Sequence, residues 1–284
     1  MKFRIFIRSV LTLALILTAS RLCLAQCGGT TTTTTLPCPP DSVKVGPTCV
    51  DKYEASVWQI APSNTALVSK VQAGTATLAD LTNGGATQLS LSPSCAPGFP
   101  ANFAPNGQWT PVSGSSPPSP GVYAVSISGV LPSACITWFQ ASQACRLSGK
   151  RLARNDEWQN AAASTPDPGS TPGGNDCNTR SGGPANTGSR ANCKSNWGAF
   201  DMVGNVWEWV ADWGDSANAC TNWPASFGSD LSCVGGPGSG FSNLPGALIR
   251  GGGWDFGAGA GVFAVDALSN PSDSSGGLGF RCAR

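Results

Sequence analysis

The run Gly204-Asn205-Val206-Trp207-Glu208-Trp209 concentrates residue types that can do chemistry. Gly204 permits a close backbone approach, and Glu208 offers a hard carboxylate where loop carbonyls can turn inward, which is a calcium-site pattern. The same glutamate could instead pair with an arginine such as Arg250 or Arg281 inside a packed aromatic turn, and spacing alone leaves both open. Histidine is absent from the chain. Imidazole is the usual general base near neutral pH and the commonest zinc ligand, so histidine triads and histidine-ligated zinc are excluded. An enzyme built from this chain would have to use thiolates, carboxylates, or a metal held by oxygen and sulfur.

Thiols are plentiful, with 12 cysteines in 284 residues. Lys2, Arg4 and Arg8 precede an apolar run, Val10 to Ala19, too short to span a bilayer, which is the pattern of a signal peptide over residues 1–25. Cleavage after Ala25 removes Cys23 and leaves an odd number of cysteines, with Cys27 the isolated one. Leu24-Ala25-Gln26-Cys27 is close to a bacterial lipobox, which would acylate Cys27, although Gln26 replaces the usual Gly, Ala or Ser. Plain secretion and lipidation both stay open, and the expected location is secreted, periplasmic or cell-surface. Membrane contact would come only through a lipid anchor at Cys27. Only 12% of residues are charged and the net charge is +1, with no basic cluster after residue 25. Such a chain has no electrostatic footprint for a phosphate backbone, so nucleic acid is not an expected partner.

The elements that must position these residues are short. Residues 26–37 form a Gly/Thr-rich linker. From Cys38 to Glu54, alternation at Val43, Val45, Cys49 and Tyr53 predicts one or two strands, with Cys38 and Cys49 able to close the turn. Residues 61–134 read as an insertion of loops and short strands, ending in the strand-like run Val122 to Ile127. Helical spacing predicts a helix over Ile136–Ser148 stopped at Gly149, and a second over Asp156–Ala163 capped by Asn155 with Trp158 facing the core. Beyond them the chain is mostly loop, with Cys177/Cys193 and Cys220/Cys233 placed to close two of the loops.

Four motifs in order, Gly149-Lys150-Arg151-Leu152 before Glu157-Trp158, then Gly204 to Trp209, Arg250-Gly251-Gly252, and Gly279-Phe280-Arg281-Cys282, resemble the formylglycine-generating enzyme, or sulfatase-modifying factor, family. The resemblance implies an α+β domain over residues 38–284 with the loop-rich, disulfide-stapled variant of the C-type lectin fold. It implies a structural calcium ion held by backbone oxygens of Val203, Gly204 and Val206 and by the Glu208 carboxylate. A second family site would use Asn178, but no aspartate downstream completes it. It also implies a disulfide between Cys145 and Cys282. Family enzymes oxidise a substrate cysteine with copper held by two thiolates after the Arg-Gly-Gly segment. The matching positions here are Phe256 and Gly261, and no cysteine lies between Cys233 and Cys282. Soft cuprous ion needs sulfur, so no copper and no formylglycine-generating activity are expected. The alternative is a divergent oxidoreductase of that family acting on protein cysteine by another mechanism.

In place of the thiolates, Asp255 to Leu278 contains no Lys, Glu, Gln, Met or Trp. With its flanks, residues 253–278, it resembles the variable C-terminus of proteins targeted by diversity-generating retroelements, in which adenine-directed changes to Asn codons cannot encode those five types. The resemblance implies a ligand face made by Asp255, Phe256, Gly257, Ala258, Asp266, Leu268, Ser269, Asp273, Ser274, Gly276 and Gly277. Phe256 and Leu268 would give apolar contact, and Asp255, Asp266 and Asp273 hydrogen bonds and charge. The chain then reads as an exported display protein for a protein or glycan ligand.

Overall fold

In the computed structural model, which describes residues 37–109, 121–217, 219–235 and 244–284, the alternating segment after Cys38 folds as a hairpin of β1 (Ser42–Val45) and β2 (Thr48–Asp51). Gly46 turns it at φ +58°, and Cys38 and Cys49 are bonded across it. The leader 1–25, Cys27 and the linker as far as residue 36 lie outside the described residues. β3 (Ser56–Gln59) lies between β4 (Thr87–Leu89) and β5 (Val122–Val125) in a three-stranded antiparallel sheet.

The insertion holds two helices where only loops and short strands were expected: α1 (Thr65–Gln72) and α2 (Leu78–Asn83). The Asn64 side chain accepts from the Leu67 N–H at the start of α1, and Thr77 and Asp80 form a reciprocal capping box on α2. Leu67, Val71 and Leu81 bury against Trp58, Ile60 and Tyr123 of the three-stranded sheet. Each helix is too short for a strong apolar periodicity, and the caps were the readable signal.

α3 (Trp138–Leu147) is capped by Thr137 with Gln140, and the chain leaves it through Gly149 at φ +69°, the left-handed exit expected there. α4 (Asn155–Ala161) begins one residue earlier than predicted, and Asn155 is not its cap. The carboxylate of Glu157, held by Arg151 at 2.7 Å, accepts the Arg154 N–H, while Asp212 accepts the Asn155 N–H, so acidic side chains satisfy the first amides.

The larger sheet uses β6 (Arg151–Leu152) only as a neighbour; its own strands are β7 (Trp207–Gly214), β8 (Ala219–Asn222), β9 (Leu231–Gly235), β10 (Gly246–Arg250), β11 (Val265–Asp266) and β12 (Leu278–Phe280), in the order β12-β7-β10-β11-β9-β8. β12 runs parallel to β7, aligning Leu278 with Trp207 and Phe280 with Trp209. β13 (Cys282–Ala283) crosses into the other sheet, order β1-β2-β13-β6. Because successive side chains on a strand point to opposite faces, β7 sends Trp207 and Trp209 to one side and Glu208 and Val210 to the other. Trp207 and Trp209 join Ile249, Leu278, Phe280 and the α3 alanines Ala141 and Ala144, whereas Val210 joins Trp158 and Met202. Five disulfides pair ten cysteines: 38–49, 95–135, 145–282, 177–193 and 220–233. Cys145–Cys282, which ties α3 to β13, is the bond that the family resemblance implied.

Candidate functional site

On the inner side of β7, Glu208 meets a cation from the chain itself. Arg281, fully buried, donates from Nη2 to Glu208 Oε1 at 2.6 Å and from Nε to Oε2 at 2.7 Å, and Trp158 Nε1 adds a third bond to Oε2 at 2.7 Å. The guanidinium completes its fork on the carbonyls of Asp51 and Phe200. This is the arginine pairing that the sequence left open beside a calcium cradle of Val203, Gly204, Val206 and Glu208. A divalent ion at Glu208 would compete with a guanidinium already chelating both oxygens. Among the described residues no group of three or more acidic or cysteine side chains could hold a metal ion. The Val203 side chain packs with Cys177, Cys193 and Ala260, and the Val206 N–H donates to Glu54 Oε1. Gly204 does make the close approach read from the sequence, since a Cβ there would lie 2.3 Å from the Asn178 carbonyl oxygen. Asn178 Oδ1 is buried without a hydrogen-bond partner.

Glu54 and Asp201 are buried beside the same arginine. One cation thus faces three carboxylates, and protons make up part of the difference. Burial, reinforced by the charges of Asp201 and Glu208, holds the Glu54 carboxyl well above its ordinary range, and burial pushes Asp201 up to about 7. Burial also raises Asp51 and Asp230, each to about 6. An acid whose pKa is raised by folding contributes stability below its unfolded value, and that stability is lost as pH rises through the folded one. Glu157, lowered to about 2 by Arg151 and the Arg154 N–H despite its burial, works in the opposite sense and only in acid. The melting temperature should therefore fall steadily from about pH 5 to about pH 8. Thermal unfolding followed by circular dichroism checks this; a flat or rising profile would contradict it.

On the other side of β7 lies an open cleft of about 300 Å³. Trp207, Ile249 and Leu278, from three adjacent strands, form its base, and Trp254, Asp255, Phe256, Asp266, Ser269, Ser275 and Gly277 complete it. Phe256, 40% exposed, stands edge-on to Trp207 with ring centroids 5.1 Å apart. The backbone around the cleft is fixed. Trp254 donates to the Asn205 carbonyl and accepts from Ser181, Trp207 donates to Gly277, and Ala247 donates to Ser269. Side chains can thus be presented to solvent from a rigid frame.

The eleven residues assigned to a ligand face do not all meet here. Asp255, Phe256, Asp266, Ser269 and Gly277 line the cleft. Gly257 is buried at φ +55°, its N–H on the Thr179 carbonyl, and Ala258 donates to Ser170 Oγ, so this pair turns away onto the loops on either side of Cys177. Leu268 packs on Ala217, Cys233 and Ala267. Asp273 is exposed and caps the Asn270 N–H, and Ser274 borders a separate depression with Phe99 and Phe103. Gly276 is a packing position: a Cβ would meet the Pro93 carbonyl at 2.5 Å, and one at Gly277 would press the Trp254 ring at 3.2 Å. Trp207, Trp254, Ile249 and Leu278 were not assigned. The Trp207-Glu208-Trp209 alternation was the available signal, because it commits Trp207 to the face opposite Glu208.

The two positions that match the copper thiolates diverge in structure as well as in residue type. Phe256 is at the rim of the cleft, whereas Gly261 is buried where a Cβ would fall 2.2 Å from all three carboxyl atoms of Asp230. No side chain, a cysteine included, fits at 261 without moving Asp230, whose Oδ2 accepts the Phe263 N–H at 2.7 Å.

Residues 26–284 match the family model described as "Sulfatase-modifying factor enzyme 1-like domain". No curated protein matches the chain. Among solved structures, the chain is similar to the Major Tropism Determinant P3c Variant, with 20% identity and a TM-score of 0.45 over 86% of this chain and 52% of that one. It therefore spans about half of that protein's length. It is also similar to Treponema denticola variable protein 1, with 22% identity and a TM-score of 0.33 over 61% and 74% of the two chains. For PvdO from Pseudomonas aeruginosa the identity is 18% and the TM-score 0.34, over 84% and 80%.

Proposed function

The chain belongs to the sulfatase-modifying factor enzyme 1-like domain family, with the loop-rich formylglycine-generating-enzyme variant of the C-type lectin fold, and from that premise we propose that it is an exported binding protein whose ligand seats in the Trp207–Trp254–Phe256 cleft. The observation that carries this reading is the exchange at the former copper positions. One thiolate position is an exposed phenylalanine on the lip of an aromatic cleft, and the other a glycine whose side-chain space is filled by the Asp230 carboxylate. Exposed aromatic groups on a hydrogen-bonded frame are what a recognition surface needs, because they bring contact area at little entropic cost. Five disulfides fit an oxidising compartment, and among the described residues no helix is long and apolar enough to cross a membrane. Export as a secreted, periplasmic or surface protein, with or without a lipid at Cys27, follows in this proposal.

The test uses panels of purified cell-surface proteins and immobilised glycans, probed with the full chain and with the Asp255→Ala/Phe256→Ala double variant. Both residues are exposed, so the variant should keep its melting temperature. The expected result is a saturable ligand whose affinity drops about tenfold or more in the variant. Binding indifferent to the substitutions, or copper-dependent turnover of a cysteine peptide by the wild type, would overturn the proposal.

A further inference from the structure

Several carboxylates in the interior of this protein are met by cations. Lys150 lies 2.6 Å from Asp51, Arg151 2.7 Å from Glu157, and Arg281 2.6 Å from Glu208. Glu54, Asp201, Asp230 and Asp266 have no ion-pair partner among the described residues, and of these four only Asp266, 9% exposed, lines the cleft. Its Oδ1 accepts the Leu268 N–H at 2.5 Å, and burial pushes its carboxyl above the ordinary range. Asp255, exposed at the rim, is a second carboxylate, and no lysine or arginine lines the cleft. Arg180 approaches the neighbouring loop, 3.4 Å from where a Cβ of Gly257 would lie, but is not part of the lining. Around these two carboxylates stand three aromatic side chains, Trp207, Trp254 and Phe256.

We infer that the cleft takes a cationic group, an ammonium or guanidinium whose stem lies among Trp207, Trp254 and Phe256 and whose charge meets Asp266 and Asp255. This assignment rests on the ligand-binding reading of the same cleft and names its ligand class. Aromatic faces attract cations, and the attraction grows when the group is desolvated beside them. A neutral sugar could stack on the same rings, but it would bury Asp266 further with its charge uncompensated. Volume agrees: about 300 Å³ is at the small end of ligand sites and suits one long side chain or small amine better than an oligosaccharide. The cation's source, a lysine or arginine of a protein ligand or a free amine, is separated by the choice of probes.

The experiment is an NMR titration of the full chain that follows the indole N–H signals, with Trp254→Phe used for assignment. The probes are N-acetyl-lysine methylamide, N-acetyl-arginine methylamide, choline, the neutral N-acetyl-norleucine methylamide, and methyl glucoside. Cationic probes should give saturable shifts at Trp207 and Trp254, weakened by added salt, while the norleucine probe gives none. Asp266→Asn keeps the acceptor for Leu268 and should keep the melting temperature, yet lose about tenfold in affinity for the cationic probes. Tighter binding of the capped amino acids than of choline points to a protein ligand, and the reverse order to a free amine. Saturation by methyl glucoside with Asp266→Asn unaffected would overturn the cationic assignment and leave the binding reading standing. The same holds if no probe shifts the cleft while a panel ligand still needs Asp255 and Phe256. Failure of both the probes and the panels would remove both.

Discussion

Arg281→Met should cost about 3–5 kcal/mol, a large part of the roughly 5–15 kcal/mol that holds a domain together. The guanidinium is fully buried and serves Glu208 through two bonds and the carbonyls of Asp51 and Phe200 through two more. Its removal leaves Glu54, Asp201 and Glu208 without the one cation they share, and two carbonyls without donors. Methionine fills the space but answers none of these needs. Urea denaturation of the purified variant checks the expectation, and a midpoint close to wild type would contradict it. A double-mutant cycle with Glu208→Gln refines it. Gln can still accept the Trp158 Nε1–H, so Arg281→Met/Glu208→Gln should be more stable than the sum of the single changes implies.

Cys145→Ala/Cys282→Ala is expected to have a comparable effect for a different reason. The bond joins residues 137 apart, and in the chain-entropy model a loop of that length is worth about 5 kcal/mol. The two smaller loops closed inside it, 177–193 and 220–233, shorten the path too little to matter to a logarithm. Replacing both cysteines avoids a stray thiol, and the alanines leave a buried void between α3 and β13 that adds to the loss. Denaturation midpoints against wild type measure the change. Loss of less than about 1 kcal/mol would mean that the unfolded chain is already constrained elsewhere.

How far the sequence could be read depended on whether its signals were local. Cys38–Cys49, Cys177–Cys193 and Cys220–Cys233 bracket single loops and are visible from adjacency alone. Cys95–Cys135 joins two loops that meet through hydrogen bonds from Ser90 and Ser92 to Pro132 and Ala134 and the Leu91–Ser133 bridge, and nothing near either cysteine announces it. Cys145–Cys282 required the family resemblance. In the cleft, Asp255, Phe256 and Asp266 were found because they lie within the unusual segment. Trp207 and Ile249 were missed because they lie in flanking strands whose register brings them to the same side. Glu54 was never singled out as a charge. It sits 151 residues before Asn205, whose side chain it holds at 2.5 Å, and only the folded chain brings them together. Glu208 was recognised as a charge needing a partner, and only the fold shows that Arg281 rather than Arg250 arrives there.

Seven residues, Leu278 to Arg284, carry both β12, parallel to β7, and β13, inserted between β2 and β6. This order has a temporal consequence. A chain emerging from a ribosome or a translocation channel has already delivered β2, β6 and β7 before β13 can join β2 to β6 and β12 can add to the edge of the larger sheet. Closure of the smaller sheet is therefore late and rests on distant pairings, which are slow to form. A stop or a shifted reading frame anywhere in 253–277 removes β12 and β13, and with them the Arg281 fork on Glu208 and the Cys282 bond to α3.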